Sequence, residues 1–321
     1  MLILDNVRLT ATSKPLNHEF RRGCITVVLG RNGAGKTRLC RLVAGLDTCL
    51  AGNILIDGER INDVSPGKRS VALVYQAFVN YASLTVEENI ASPMRAAKRS
   101  AMERQARVRE IAAQLQLTDL LSRYPEELSG GQQQRVAIGR ALAKSAKVLV
   151  LDEPLVNLDF KLRESLEVQL RELLVREELT VIYTTSDPRD AFNLADDLVL
   201  LHEHQVVQTG MPLDVYQRPV NFIAADLMSD PGVNRLTQDG STLLVRPEHL
   251  SLERKFATDA VFPARLLSAE TSGSETFLHC AVADEHWVAR LSGLHEFDIG
   301  AELTLYSHRN SVLEFAEVSD G

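Results

Sequence analysis

The sequence has no run of 18 apolar residues, so no segment is expected to cross a membrane as a helix. Its first residues, which include Asp5 and Asn6, lack the pattern of a signal peptide. Only four cysteines occur (Cys24, Cys40, Cys49 and Cys280), and none has C-x-x-C spacing. That argues against a disulfide frame or a cysteine zinc site and predicts reduced thiols in a cytoplasmic protein. Basic residues are in the minority: the net charge of −8 argues against a nucleic-acid partner, because phosphate backbones need a basic face. Internal repeats and low-complexity tracts are also missing. What remains is 321 residues with 45% apolar content, enough for two domains and a large core.

The most informative stretch is Gly30–Thr37, Gly-Arg-Asn-Gly-Ala-Gly-Lys-Thr, which fits G-x-x-x-x-G-K-[ST]. It follows the β-branched run Ile25–Leu29, and Leu39, Leu42 and Val43 recur behind it at helical spacing. Strand, glycine turn and helix in that order form a phosphate cradle. Gly33 and Gly35 let the backbone pass close to the phosphates, and the helix start aims unpaired N–H groups at them. The whole run Gly30, Arg31, Asn32, Gly33, Ala34, Gly35, Lys36, Thr37 and Arg38 is the candidate nucleotide site. Lys36 is expected to reach the β- and γ-phosphates, and the Thr37 hydroxyl to bind Mg²⁺.

Along the chain, Met1–Val7 reads as a strand and Thr10–Pro15 as a polar turn. Asn53–Ile56, Asp57-Gly58 and Glu59–Ile61 give a hairpin signal, and Val71–Tyr75 returns as a strand that ends at Gln76. From Thr85 to Lys144 the pattern is helical, with capping boxes at Thr85/Glu88 and Ser100/Glu103 and an apolar stripe through Val108, Ile111, Ala112, Leu115 and Leu117. Strands are expected at Val148–Leu151 and Thr180–Tyr183, a helix over Leu158–Val175 and another helix begun by Asp187-Pro188. This alternation predicts a parallel sheet covered on both faces, with residues 84–145 as a helical insertion. Near Pro231–Asn234 the style changes to short β segments separated by turns, which suggests a small all-β barrel. The expected domains are therefore 1–234 and 235–321.

Three further signals fit beside the phosphate loop. The apolar strand Val148–Leu151 ends in Asp152 and Glu153 and is expected on the neighbouring strand; Asp152 would hold Mg²⁺ through water, and Glu153 would polarise the attacking water. Gln76, at a strand end, can touch Mg²⁺ or that water. Ser129, Gly130, Gly131 and Gln132 open a second helix and so a second anion-binding end. Two such ends and one nucleotide loop are most economically explained by a dimer, in which this end closes on the γ-phosphate of the other subunit.

With these residues in place, the sequence resembles the ATP-binding cassette (ABC) transporter ATPases over nearly its whole length. Gly30–Thr37 is similar to the family's Walker A loop, Gln76 to its Q-loop glutamine, Leu128–Gln132 to its signature, Val148–Glu153 to Walker B and Leu158-Asp159 to its D-loop. The segments Gly210–Tyr216, Pro219–Ala224 and Val245–Glu248 resemble importers of the maltose and glycerol-3-phosphate type. The resemblance implies an α/β P-loop NTPase fold followed by an OB-like (TOBE) regulatory or dimerisation domain, and ATP with Mg²⁺ as cofactors. It also implies a second ATPase subunit, two membrane permeases, an extracytoplasmic solute-binding protein and a peripheral place on the cytoplasmic face of the membrane.

The sequence departs from the family at three points. Ser186 stands where a histidine is expected to bond the γ-phosphate, and losing one such donor typically costs about 10²–10³ in rate. Ala11 stands where an aromatic residue would stack on adenine, worth about 1–3 kcal/mol. Val156 stands in the D-loop where a small or hydroxyl residue is usual. All three weaken the chain's own site, while Ser129–Gln132 is intact. This predicts a heterodimer, and the segments Gln76–Tyr81, Leu155–Asp159 and Thr184–Pro188 resemble one of two unlike ATPase subunits of glycerol importers. Two other readings stay open: slow hydrolysis by a homodimer, and a structural subunit that binds ATP without useful turnover. A soluble P-loop kinase would leave Leu128–Gln132 unexplained. His202 and His204 read as a hairpin end, Trp287 as β-domain core, and Lys98-Arg99 with Arg104–Arg109 as a solvated helix face.

Overall fold

The computed structural model describes residues 1–77, 79–155, 163, 167–168, 170–174, 177–238 and 240–316. They divide into two compact units, 1–215 and 216–321.

In the first unit, β1 (Leu2–Val7), β2 (Leu16–Phe20), β4 (Asn53–Ile56) and β5 (Glu59–Arg60) form an antiparallel sheet in the order β2-β1-β4-β5. The expected hairpin is there: Asp57 and Gly58 both have positive φ (51° and 84°), the two-residue turn whose twist matches that of the strands. A second sheet contains β3 (Ile25–Leu29), β6 (Val71–Val74), β7 (Val148–Asp152), β8 (Thr180–Thr185), β9 (Asp197–His202) and β10 (Gln205–Gly210). Its order is β10-β9-β3-β8-β7-β6, with every pair parallel except β10–β9. Central strands β3, β7 and β8 are buried at every residue, which explains their unbroken apolar runs. The sequence led to one parallel sheet; β1, β4 and β5 instead build a separate antiparallel layer with β2, a strand whose polar Asn17, His18 and Glu19 masked it.

Helix α1 (Lys36–Ala44) follows β3 and buries Leu39, Leu42 and Val43. Between β6 and β7 stands the helical block: α2 (Val86–Ala96), α3 (Ala101–Gln114) and α4 (Gly130–Ala143). Both expected capping boxes form, at Thr85/Glu88 and Ser100/Glu103, and Val108, Ile111 and Ala112 are buried. Arg107 corrects the reading of 104–109 as a solvated face. It is half-buried, bridges α3 to Glu177 at 2.9 Å and pairs within the helix with Glu110 at 2.8 Å. The expected helix over 158–175 lies largely outside the described residues, although 170–174 are helical. After β8, Asp187 caps α5 (Pro188–Leu194) by accepting the Arg189 N–H at 2.9 Å.

The second unit has two antiparallel sheets, of three and five strands. Its strands pack around Trp287, Phe262, Leu278 and Leu305, in keeping with the β-rich pattern of the sequence. Trp287 is fully buried and donates its Nε1–H to Arg235 O at 2.9 Å. The unit begins at Tyr216, ahead of the change in composition near residue 231. Arg246 holds the intervening segment to the β sheets: its guanidinium lies 3.7 Å from the Tyr216 ring centroid and donates to Tyr216 O and Ser229 Oγ.

Candidate functional site

Parallel pairing brings the C-terminal ends of β3, β8 and β7 to one edge of the sheet. β3 runs into Gly30, whose N–H donates to Thr185 O at 3.2 Å. A Cβ on Gly30 would lie 2.3 Å from Leu201 O, so no larger residue fits. Gly35, at φ 106°, caps α1 without a side chain, and the first turn of α1 holds no acid. The leading N–H groups of α1 are therefore left for a ligand. Ala34 is buried and accepts the His204 N–H at 2.9 Å, and the His204 ring packs against Gly35. Arg31, Asn32, Gly33 and Thr37 are exposed along the loop. Arg38 donates to Leu9 O, which fixes the segment leading to Ala11 beside the start of α1.

Lys36, only 4% exposed, is folded inward. Its Nζ donates to Gly30 O at 2.5 Å and Arg31 O at 3.1 Å and pairs with Glu153 Oε1 at 2.9 Å. Asp152, 3% exposed, ends β7. Its Oδ1 accepts the Thr184 hydroxyl at 2.8 Å and the Cys40 thiol at 3.8 Å. Burial first, then the negative charge of Asp152, pushes the Cys40 thiol well above its ordinary pKa, so Cys40 stays a donor. Glu153 sits at φ 46° and donates its N–H to Thr184 O at 3.2 Å and Thr184 Oγ1 at 3.1 Å. The sequence placed the strand of Asp152 next to that of the phosphate loop. The structure inserts β8 between them, and Glu153 reaches Lys36 across it.

Ser186 is exposed one residue beyond β8. Beneath it, the Thr185 hydroxyl donates to Asp190, which also pairs with Arg163; Arg163 pairs in turn with Glu167 and Asp187 at 3.0 Å each. Burial raises the Asp190 carboxyl to about 6, against the pull of Thr185 and Arg163. Gln76 is exposed just past β6, the strand beside β7. Phe78 lies outside the described residues, as do Val156–Asp159 of the expected D-loop. Beyond Gln76, Asn80 donates to Gln133 O at 2.8 Å and Arg140 to Val79 O, which ties this loop to α4.

Ser129–Gln132 stands apart. Ser129 accepts the Gln132 N–H at 3.4 Å, and Gln132 accepts the Ser129 N–H at 2.9 Å. Among the described residues, no hydrogen bond or ion pair joins 129–132 to Gly30 or to 32–37. The structure thus gathers Gly30–Arg38, Asp152, Glu153 and Ser186 and leaves the α4 start outside. Sequence reading missed Thr184, Cys40 and His204. Nothing local marks Thr184, which is one of three threonines in the strand Thr180–Thr185.

The residues fit Mg²⁺. Asp152 is buried without an ion-pair partner among the described residues, and both donors fall on Oδ1. An exposed Thr37 hydroxyl and an uncapped helix start complete a set of groups for a metal–phosphate pair.

Residues 13–156 match the family described as ABC transporter, and 243–315 match the TOBE domain. The chain is 34% identical to the uncharacterized ABC transporter ATP-binding protein YurJ of Bacillus subtilis over 95% of its own length and 93% of the relative's. It belongs to the ABC transporter ATP-binding proteins. This ABC protein is 35% identical to the alpha-glucoside transport ATP-binding protein AglK of Rhizobium meliloti, with 91% of each chain covered. It is also 35% identical to the sn-glycerol-3-phosphate import ATP-binding protein UgpC of Paracoccus denitrificans, over 93% of this chain and 92% of that one. Among solved structures it is similar to an ATP-binding cassette dimer in a post-hydrolysis state bound to ADP and Pi. There the TM-score is 0.59 and the identity 28%, over 66% of this chain and 99% of that one. As a member of the family, the ABC protein is an ATP hydrolase that uses ATP with Mg²⁺. Among the described residues, no helix is long and apolar enough to cross a membrane.

Proposed function

We propose that this chain is the ATPase motor of a sugar or glycerol-3-phosphate type importer, held at the cytoplasmic face of the membrane by two permeases that receive solute from a binding protein. Relatives named for alpha-glucoside transport and sn-glycerol-3-phosphate import support the substrate class. The observation that carries the reading is the convergence of Lys36, Asp152 and Glu153 at one sheet edge, beside an uncapped helix start.

In this reading the N–H groups of Gly33–Arg38 cradle the triphosphate, and Lys36 leaves Glu153 to donate to the β- and γ-phosphates. Thr37 and Asp152 hold the metal, which when bound neutralises charge on the phosphate oxygens. Glu153, released from Lys36, accepts a proton from the attacking water, and Gln76 orients that water. The Ser129–Gln132 end closes on the phosphates of a second ATPase subunit. Closure would be passed to the permeases through the cavity of about 260 Å³ lined by Leu73, Tyr81, Pro93, Ala137, Arg140 and Lys144, where the Arg140 guanidinium lies 4.9 Å from the centroid of the Tyr81 ring. Asn80–Gln133 links that surface to the helix that begins at Ser129.

Ser186 and Ala11 favour a heterodimer, in which this chain completes a competent site on an unlike ATPase and turns over slowly itself. The same two residues support the neighbouring reading, a nucleotide-binding subunit with little hydrolysis of its own, while Glu153 opposes it. The test is to measure ATPase activity of this chain alone and coexpressed with permeases and the ATPase of the neighbouring gene, together with cofractionation with membranes. Equal turnover per site in both preparations rejects the heterodimer, and failure to cofractionate rejects the importer.

A further inference from the structure

β8 is the strand between the phosphate-loop strand and the strand of the acids, and Thr184 pairs with Val28 on one side and Asp152 on the other. It is fully buried, yet its hydroxyl uses both of its capacities across the β7 boundary. It donates to Asp152 Oδ1 at 2.8 Å and accepts the Glu153 N–H at 3.1 Å. The Cys40 thiol reaches the same Oδ1 and no protein donor among the described residues reaches Oδ2, so the carboxylate is held from one side only. Glu153 gains its φ of 46° in the same place, with its N–H shared between Thr184 O and Oγ1.

We propose that Thr184 is a positioning residue for the metal-binding carboxylate: its hydroxyl fixes Oδ1 of Asp152 and so turns Oδ2 toward the Mg²⁺ that accompanies the nucleotide. The proposal rests on the site described above and adds a residue to it. A carboxylate free to rotate would spend part of its time with the wrong oxygen toward the cation. A hydrogen bond to the other oxygen removes that freedom before metal arrives, and loss of such a supporting bond typically costs about 10- to 100-fold in metal affinity.

The test compares the full-length chain with Thr184→Val, which keeps the shape and the backbone acceptor for Glu153, and Thr184→Ser, which keeps the hydroxyl. ADP affinity is measured by calorimetry with MgCl₂ and with EDTA. Wild type and Thr184→Ser are expected to gain equally from Mg²⁺; Thr184→Val is expected to lose about tenfold of that gain, with its metal-free affinity unchanged. An undiminished Mg²⁺ gain in Thr184→Val overturns the proposal. So does a Thr184→Ser that fails as Thr184→Val does, or a Thr184→Val that loses metal-free affinity to the same degree, since either points to shape alone. Wild-type chain that binds no ADP in either condition overturns the nucleotide site, and the role of Thr184 with it. Binding with identical Mg²⁺ gains in all three overturns Thr184 only.

Discussion

The starts of α1 and α4 are chemically alike and structurally opposite. Each is a glycine-rich entry to a helix. At α1 the capping position is Gly35, no side chain accepts from the first turn, and Lys36 is turned back onto Glu153. At α4 the Ser129–Gln132 box satisfies the helix end from within. A glycine cap costs only about a few tenths of a kcal/mol and leaves the first-turn N–H groups to water or to a ligand. The α1 start therefore has N–H groups open to a phosphate, whereas the α4 start carries its own side-chain cap. That difference is what a chain should show if it keeps its own nucleotide at α1 and offers α4 to another subunit's.

The comparison can be tested hardest at the switch position. Ser186→His is expected to raise ATPase turnover of the isolated chain by about 10²–10³-fold, read in a steady-state assay, because it restores a donor beside the γ-phosphate. No change would move the defect away from β8. Lys36→Ala should weaken ADP binding to the isolated chain by about a hundredfold, or roughly 2.7 kcal/mol, in calorimetry. Its counterpart, Ser129→Ala, should leave that affinity unaltered.

A smaller effect is expected from pH. Asp190, under the Ser186 turn, is held up at about 6 by burial despite its bonds to Thr185 and Arg163. Its folded value lies above the unfolded one, so the native state binds the extra proton, and this stabilising share fades as pH rises from about 4 through 6. Asp190→Asn should flatten the decline in thermal stability over that window by an amount on the order of 2 kcal/mol, seen by differential scanning calorimetry at several pH values. Least of all, Ser129→Ala should lower stability by about 1 kcal/mol in urea denaturation, while ATP turnover falls only once the second subunit is present. A loss of turnover in the isolated chain would erase the contrast between the two helix starts.

Much of this was readable before any fold was known, and the reason differs by residue. Lys36 and Thr37 could be placed because a short strand–turn–helix carries its geometry in adjacent residues. Thr85/Glu88, Ser100/Glu103 and Asp57-Gly58 were legible because capping boxes and tight turns are closed within four residues. β2 was hidden because its central inward position, between buried Leu16 and Phe20, is the polar His18. Arg107 was misplaced because its partner Glu177 is distant in sequence. Thr184 looked like strand filler because a hydroxyl gains a role only from what lies on the next strand.

The sequence by itself determined the local parts: a phosphate-binding turn, a capped helix start at Ser129, a strand that ends in two acids and a β-rich second unit. Their information is contained in nearest neighbours and in periods of two or 3.6 residues. Only the tertiary structure decided that β8 stands between β3 and β7, that Lys36 rests on Glu153, and that Thr184 holds Asp152. Strand order is fixed by the packing of whole elements, and no local pattern in the sequence encodes it.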